Sequence, residues 1–318
     1  MTVLELKHDT PEIKKPFGGI SLKNILYATD FSATSESALP YAAALSRRFG
    51  STLHVVHVLS DTSLLLMTGG VDQVSFEVLY EDAQTLAKGK LKRVSDGLGK
   101  IPNRSYVRHG KVWPNLSTVI AENDIDLIVI GTHGRTGLGK LLLGSVAEDI
   151  LRHAPCPVLS VGPKICGRTR LEEFAGTGSD LSPLELELRH IVYATNLTAA
   201  SQTVAPVAIS LARQFAAQLT LIHVLENYSE LENVPGPIES GVRQLQALVP
   251  KDAALAYAPE IVIECGPASD CIVNAAAKRY ADLIVLGARP VDGTTHLPFS
   301  TVHRVVAHAS CPVLTVPA

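Results

Sequence analysis

The amino-acid sequence contains two copies of one pattern, and this repeat constrains the fold more than any other feature. Four runs of the first copy align with runs of the second: 25–32 with 191–198 and 53–59 with 219–225 at an offset of 166 residues, 126–131 with 282–287 at 156, and 153–161 with 308–316 at 155. The drop from 166 to 156 shortens the second copy by ten residues after its second strand. Two copies of one domain account for a chain of 318 residues.

Apolar runs alternate with helical stretches within each copy. In the first copy we predict strands near 23–30, 52–59, 104–109, 125–131 and 157–162, and helices near 33–49, 75–98, 113–123 and 144–153. Such alternation is typical of α/β domains, in which right-handed crossovers place helices on both faces of a parallel sheet. We therefore predict two tandem doubly wound parallel-sheet domains.

Proline, glycine and the loss of hydrophobic period mark the boundaries between these parts. We expect a flexible arm over 1–21, the first domain over 22–162, a linker over 163–188 and the second domain over 189–318.

Composition excludes several classes of function. The net charge of −3 argues against a nucleic-acid binder that depends on a basic surface. Without a signal peptide or a transmembrane run, we expect a soluble, cytoplasmic chain. The five cysteines include no C-x-x-C pair, so a disulfide framework or a zinc ribbon is not predicted. Cys156 and Cys311 each precede Pro-Val-Leu, and we expect both to be buried.

A glycine motif lies between the fourth strand and the following helix. Gly131 and Gly134 are followed, after nine residues, by Gly144 and Ser145. Glycine permits a positive φ and lets a ligand approach a backbone that has no Cβ. A helix N-terminus offers unpaired N–H groups and a partial positive charge, which suit phosphate. The motif predicts a phosphate site at the carboxyl edge of the sheet.

Other nucleotide and hydrolase motifs do not fit. The run 134–140 imitates a P-loop, but Leu141 stands where a P-loop has the Ser or Thr that binds Mg²⁺. No G-x-G-x-x-G follows the first strand, and no G-x-S-x-G nucleophile elbow is present. These absences disfavour a P-loop ATPase, a dinucleotide-dependent enzyme and an α/β-hydrolase.

With the repeat and the glycine motif together, each copy resembles a universal stress protein domain. The first copy matches the pattern of the family's ATP-binding subgroup, G-x-x-G, nine residues, G-[ST], in full. The resemblance covers everything except the arm and the linker. It implies an adenine-nucleotide-binding fold of the Rossmann-like HUP type, with ATP as the ligand, ADP or AMP as alternatives, and Mg²⁺ as a companion ion.

The resemblance also implies which residues contact the nucleotide. Asp30 lies near it at the end of the first strand, and Val58 meets the base through its backbone. Residues 131–137 surround the ribose and phosphates, and the helix that begins at Ser145 lies under the phosphates. The expected contacts are Ala28, Thr29, Asp30, Val58, Gly131, Thr132, His133, Gly134, Arg135, Thr136, Gly137, Gly144, Ser145, Val146 and Ala147.

The second copy departs from this pattern. Gly287 is retained, but Pro290 replaces the second glycine, Ser300 begins the pair that replaces Gly-Ser, and Asn196 replaces Asp30. Proline has no N–H to donate and fixes φ. We predict that the second copy has lost ATP binding and is a structural partner or a site for a different ligand. Its histidines match no metal-ligand motif, and no metal site is expected.

The leading hypothesis is an ATP-binding regulatory protein of the stress response without strong catalytic machinery. One alternative is a slow ATP hydrolase that uses Asp30 and His133, and another is a scaffold that works independently of nucleotide. The family's domains pair through their last strands, here 158–161 and 313–316. The resemblance thus implies an intrachain pseudo-dimer, with a homodimer and an unidentified regulatory protein as further partners.

Overall fold

A computed structural model describes residues 22–60, 73–132, 143–165, 171–172, 185–226, 236–288 and 300–318. The first domain contains β1 (Asn24–Ala28), α1 (Ala33–Phe49), β2 (Thr52–Leu59), α2 (Gln73–Gly97), β3 (Asn103–His109), α3 (Val112–Glu122), β4 (Leu127–Gly131), α4 (Ser145–His153) and β5 (Val158–Val161). Each predicted element of the first copy is confirmed, and no end differs by more than two residues.

The second domain repeats this order after a short linker hairpin of β6 (Leu171–Glu172) and β7 (Glu185–Leu186). Its elements are β8 (His190–Ala194), α5 (Ser201–Gln214), β9 (Gln218–Leu225), α6 (Pro237–Ala247), β10 (Glu260–Cys265), α7 (Ala268–Lys278), β11 (Leu283–Ala288), α8 (Thr301–His308) and β12 (Val313–Pro317).

The two domains share one ten-stranded sheet of order β10-β9-β8-β11-β12-β5-β4-β1-β2-β3. Strands within each domain are parallel, and the first strand lies between the second and the fourth, which is the doubly wound arrangement. The domains meet where β5 pairs antiparallel with β12, with Leu159 opposite Leu314. The predicted fold and the predicted pairing through the last strands are both confirmed.

Helices cover both faces of the sheet because each strand alternates its side chains between them. On β1, Ile25 and Tyr27 pack in the core under α1, α2, α5 and α6, whereas Leu26 packs in the core under α3, α4, α7 and α8. All three side chains are almost completely buried. Cys156 and Cys311 are buried as expected, and Cys166 lies outside the described residues. Among the described helices, none has both the length and the apolarity to cross a membrane.

An aspartate braces the amino edge of each domain. Asp126 accepts hydrogen bonds from the backbone N–H groups of Lys23 (2.8 Å) and Asn24 (3.0 Å). Asp282 does the same for Arg189 (2.8 Å) and His190 (3.0 Å). The repeated Asp-Leu-Ile-Val motif thus fixes the start of the fourth strand against the start of the first.

Candidate functional site

The candidate site lies at the carboxyl edge of the first domain, where the connections from β1 and β4 leave on opposite faces. α1 follows β1 onto one face of the sheet, and α4 follows β4 onto the other. Ligands of open α/β sheets bind in the crevice at such a switch point.

Hydrogen bonds hold the turn from β1 into α1. The buried hydroxyl of Thr29 lies 3.0 Å from the Ser35 hydroxyl and accepts the backbone N–H of Phe31 at 3.0 Å. Asp30 Oδ1 accepts the backbone N–H of Ser32 at 2.9 Å. Phe31 has a φ of +59°, a left-handed conformation that is uncommon for a bulky residue and that functional sites often contain. The turn holds Asp30 at the edge of the sheet.

Beneath this turn, Tyr27 connects β1 to α1. Its hydroxyl donates to the carbonyl of Ser35 at 2.7 Å, and burial raises its pKa to about 12. The phenol therefore stays neutral and acts as a structural donor.

The backbone of Val58 lies where the ladder between β1 and β2 stops. The last ladder bond runs from Thr29 N–H to the Val56 carbonyl at 3.0 Å. If the ladder continued, the Val58 N–H would donate to the Thr29 carbonyl, and the Val58 carbonyl would accept the Phe31 N–H. His57 Nδ1 lies 2.8 Å from that carbonyl, and the Phe31 N–H donates to the Thr29 hydroxyl. Because alternate residues of a strand face the same neighbour, Val58 presents its N–H and C=O to the crevice.

Gly131 has a packing role in the structure that the sequence did not suggest. A Cβ at this position would lie 2.5 Å from the Thr34 carbonyl oxygen and 2.8 Å from the Ser35 Cα. Glycine is therefore required because the first turn of α1 packs directly on the end of β4. The packing alone thus explains a glycine at this position, and the contact of Gly131 with a nucleotide stays a prediction.

Gly144 is likewise not explained by a positive φ. It is the N-cap of α4 with φ −66° and ψ 144°, an extended conformation that any residue can adopt. Its N–H donates to the Thr132 carbonyl at 2.9 Å, which joins the start of α4 to the end of β4. Gly144 makes no side-chain cap, so the first turn of α4 is left with donors of the kind that bind anions.

These segments adjoin one another at one edge of the sheet. β2, β1 and β4 are neighbours, so Val58 and Thr132 are separated by two strand spacings, about 10 Å. Ala28, Thr29 and Asp30 lie between them, and the helix carrying Ser145, Val146 and Ala147 begins beside Thr132. The other predicted contacts, His133, Gly134, Arg135, Thr136 and Gly137, lie outside the described residues.

Comparison with known proteins identifies the architecture. The model of the universal stress protein family matches residues 21–162 and 187–317. The chain belongs to the universal stress protein family. Universal stress protein A homolog 1 of Coxiella burnetii is 36% identical over 145 residues, which are 45% of this chain and 97% of that protein. A universal stress protein of Methanocaldococcus jannaschii is 29% identical over 158 residues, 46% of this chain and 98% of that protein.

A solved structure has the same arrangement along almost the whole chain. The universal stress protein from Archaeoglobus fulgidus superimposes with a TM-score of 0.63 at 17% identity and covers 92% of this chain and 98% of its own. At this identity the likeness concerns the fold.

The second universal stress protein domain repeats the contacts of the first at its own carboxyl edge. Thr195 Oγ1 lies 2.6 Å from Ser201 Oγ and accepts the Leu197 N–H at 3.1 Å. Leu197 has a φ of +57°, as Phe31 does in the first domain. Sequence reasoning missed this network, although the aligned Thr, Ser and His residues of the two copies carried the signal.

The helix that begins this second site differs from α4 at its first residue. Ser300 caps α8, and its hydroxyl accepts the backbone N–H of His303. Its φ of −61° and ψ of 154° are close to those of Gly144. The two helix starts thus share a backbone conformation but differ in whether a side chain occupies a first-turn donor.

The described histidines show structural contacts. His308 Nδ1 lies 2.8 Å from the Arg304 carbonyl, as His153 Nδ1 does from that of Asp149. Within the described ranges, no three His, Cys, Asp or Glu side chains gather in a metal-binding group. His296 lies outside those ranges.

Proposed function

We propose that the chain is a nucleotide-dependent regulatory protein whose first domain binds ATP, with ADP or AMP as alternative ligands. The proposal takes 22–162 as the binding domain and 189–318 as a partner domain that does not bind ATP. The observation that carries it is the end of the ladder at Val58, since within the described residues β1 does not pair with the Val58 N–H and C=O, which face the crevice.

The base end of the crevice supports adenine. Adenine presents a ring nitrogen acceptor beside an exocyclic amino donor, and a strand residue with an unpaired N–H and C=O complements both. The edge is formed by backbone, so its geometry is fixed by the strand. Val58 is partly buried, and a base bound at this edge would satisfy its donor and its acceptor together.

The phosphate end supports a polyphosphate. Ser145 and Val146 are exposed at the start of α4, and Ala147 is buried against the core. The helix dipole and first-turn N–H groups stabilise an anion there without a large positive field. Asp30 is a carboxylate at the same edge, and its oxygens suit Mg²⁺ carried in with the nucleotide.

Regulation, rather than turnover, agrees with the described side chains. Asp30 accepts the Ser32 N–H within the turn, and His57 faces the Thr29 carbonyl. Both groups therefore maintain the shape of the edge. Occupancy by nucleotide can shift the population of conformers that partners recognise.

The test is to denature the purified full chain and to quantify the released nucleotide by chromatography, followed by a calorimetric titration of the dialysed chain with Mg-ATP. We expect about one adenine nucleotide per chain. Absence of released nucleotide, together with no heat on titration, would exclude the proposal.

A further inference from the structure

We propose that copies of this chain associate end to end, with β3 of one copy pairing antiparallel with β10 of the next. These two strands are the outermost strands of the ten-stranded sheet, and each is hydrogen-bonded to one strand only among the described residues. Every residue of both strands is exposed or half-buried. An edge strand presents backbone N–H and C=O groups with which a further strand can pair.

The ladder inside each domain shows which backbone groups point outward. The Gly110 N–H donates to the Leu59 carbonyl at 3.0 Å, and the Gly266 N–H donates to the Leu225 carbonyl at 3.1 Å. Successive residues of a strand turn their backbone groups to opposite sides. The even-numbered residues of both strands therefore bond inward, and the odd-numbered residues turn their N–H and C=O to the open edge. These outward residues include Ser105 and Val107 on β3, and Ile261 and Ile263 on β10.

The strand directions suit an antiparallel contact between copies. Strands within each domain are parallel, and the domains are joined by the antiparallel pair of β5 and β12. β3 and β10 therefore run in opposite directions in one chain. A second copy in the same orientation places its β10 beside β3 as an antiparallel strand, so the sheet continues from copy to copy.

One register brings the outward backbone groups opposite each other. With Ser105 opposite Ile263 and Val107 opposite Ile261, the outward residues form hydrogen-bonded pairs, each of which exchanges two backbone bonds. The residues between them form non-hydrogen-bonded pairs, whose side chains lie closest together. In this register those pairs are Arg104 with Glu264, Tyr106 with Val262, and Arg108 with Glu260.

The side chains of these three pairs are complementary. Tyr106 and Val262 both pack on the core under α3, α4, α7 and α8, so the pairs share one face of the sheet. An apolar pair thus lies between two pairs of opposite charge. Opposite charges that face each other across strands stabilise a sheet, whereas like charges destabilise it.

The ion pairs within the chain extend this complementarity. Arg108 contacts Glu122 of α3 at 3.3 Å, and Glu260 contacts Arg279, the residue after α7, at 2.7 Å. Pairing Arg108 with Glu260 of the next copy would join the two ion pairs into a row of alternating charge.

The same charges disfavour contacts between like edges. Two β3 strands paired about a two-fold axis would place Arg104 opposite Arg108, and two β10 strands would place Glu260 opposite Glu264. Charged side chains commonly protect an edge strand from pairing. Here one edge is basic and the other is acidic, so the charges select the unlike edge. A contact between unlike edges that does not close on itself gives a row of copies rather than a dimer.

Sedimentation velocity of the full chain between about 1 and about 200 µM tests the association. We expect the average mass to rise with concentration above the 33.9 kDa of one chain. Salt should weaken the association because it screens exposed charges.

Two proline variants identify the edges that meet. Val107→Pro and Ile263→Pro each remove one outward N–H, which is the position where an edge strand tolerates proline. We expect each folded variant to remain a single chain, because one of its two edges is blocked. An equal mixture should form a complex of two chains and nothing larger, since only one β3 and one β10 remain intact.

Alanine variants test the register without placing proline in a strand. Arg104→Ala and Glu264→Ala should each weaken the association by up to about 5-fold, and the variant with both changes should lose no more than either alone. Arg213→Ala changes an exposed arginine of α5 away from both edges and should leave the association unchanged.

Several results would overturn the proposal. One is a mass that stays at that of a single chain over the whole concentration range. Another is self-association of either proline variant alone, which would mean that like edges pair. A mixture of the two folded proline variants that does not associate would exclude the contact, and additive losses in the alanine variants would exclude the pairing of Arg104 with Glu264.

Discussion

Replacing Gly144 by serine tests the phosphate end of the first domain. Gly144 and Ser300 have nearly the same φ and ψ, so serine fits at 144 without strain. In the second domain the serine caps the N–H three residues later. We expect Gly144→Ser to cap the N–H of Ala147 in the same way, and thus to compete with phosphate for it.

The size of the effect follows from the two bonds in competition. If phosphate displaces the new cap, ATP binding loses about 1 kcal/mol of free energy, which is the usual contribution of a serine N-cap. If phosphate cannot reach the Ala147 N–H, ATP binding loses about 1.5–3 kcal/mol of free energy, which is the contribution of a charge-assisted hydrogen bond. Together these limits predict that the Kd for ATP rises between about 5-fold and about 150-fold.

The assay is isothermal titration of the dialysed chain with Mg-ATP, accompanied by thermal unfolding. Gly144→Ala adds the Cβ without the hydroxyl and is expected to bind ATP more tightly than Gly144→Ser. Ser300→Gly is the matched control in the second domain. It should lower stability by a few tenths of a kcal/mol and leave ATP affinity unchanged.

Two results would refute the reasoning. An unchanged Kd in Gly144→Ser, with a raised melting temperature, would mean that the cap forms and that phosphate does not use this donor. If Gly144→Ala lost as much ATP affinity as Gly144→Ser, the absence of a Cβ, rather than the absence of a cap, would be what matters at this position.

Three further predictions concern the scaffold. Leu159→Asp buries a charge where the domains meet, and calorimetry should show separate unfolding transitions for the two domains in place of a single one. Arg279 holds the pKa of Glu260 at about 2, below its usual 4.5, so this carboxylate's stabilisation is present above pH 4.5 and is lost as the pH falls towards 2. In urea unfolding, the free energy of unfolding of Glu260→Gln should not show this loss between pH 4.5 and pH 2. Burial lowers the pKa of His54 and of His190 below 6.5, so the unfolded chain takes up protons first and stability falls as the pH drops below 6.5. His54→Gln should flatten that profile in urea unfolding between about pH 7 and about pH 5.

Much of the fold was predictable because it depends on local hydrophobic periodicity and on the repeat. The apolar runs that include Ile25 and Leu127 have the length and flanks of buried parallel strands, and the structure pairs them in β1 and β4. The family resemblance implied that the last strands pair, which agrees with the need to cover an apolar edge strand, and Leu159 does lie opposite Leu314.

The roles of individual site residues were less predictable because they depend on distant contacts. Glycine is required at position 131 because a Cβ there would clash with the backbone of Thr34. Thr34 lies 97 positions earlier in the chain, and the two residues come into contact only when β1 and β4 are adjacent. The turn at Phe31 and the bond between His57 and the Thr29 carbonyl follow from where a ladder ends. Periodicity gives that point only to within a few residues, whereas these contacts depend on the particular residue.

The topology also limits how a ligand of the first domain can influence the second domain. Because β5 and β12 are antiparallel, the carboxyl ends of the two sets of strands lie at opposite edges of the sheet, and one small ligand cannot touch both. Coupling must therefore pass through packed elements that have two arrangements. Gly162 lies on one such route, since a Cβ there would be 3.6 Å from both the Thr132 hydroxyl and the Val306 carbonyl of α8. Thr132 adjoins the start of α4, and α8 begins at the carboxyl edge of the second domain. A ligand that shifts Thr132 would thus act on the same helix that Ser300 caps.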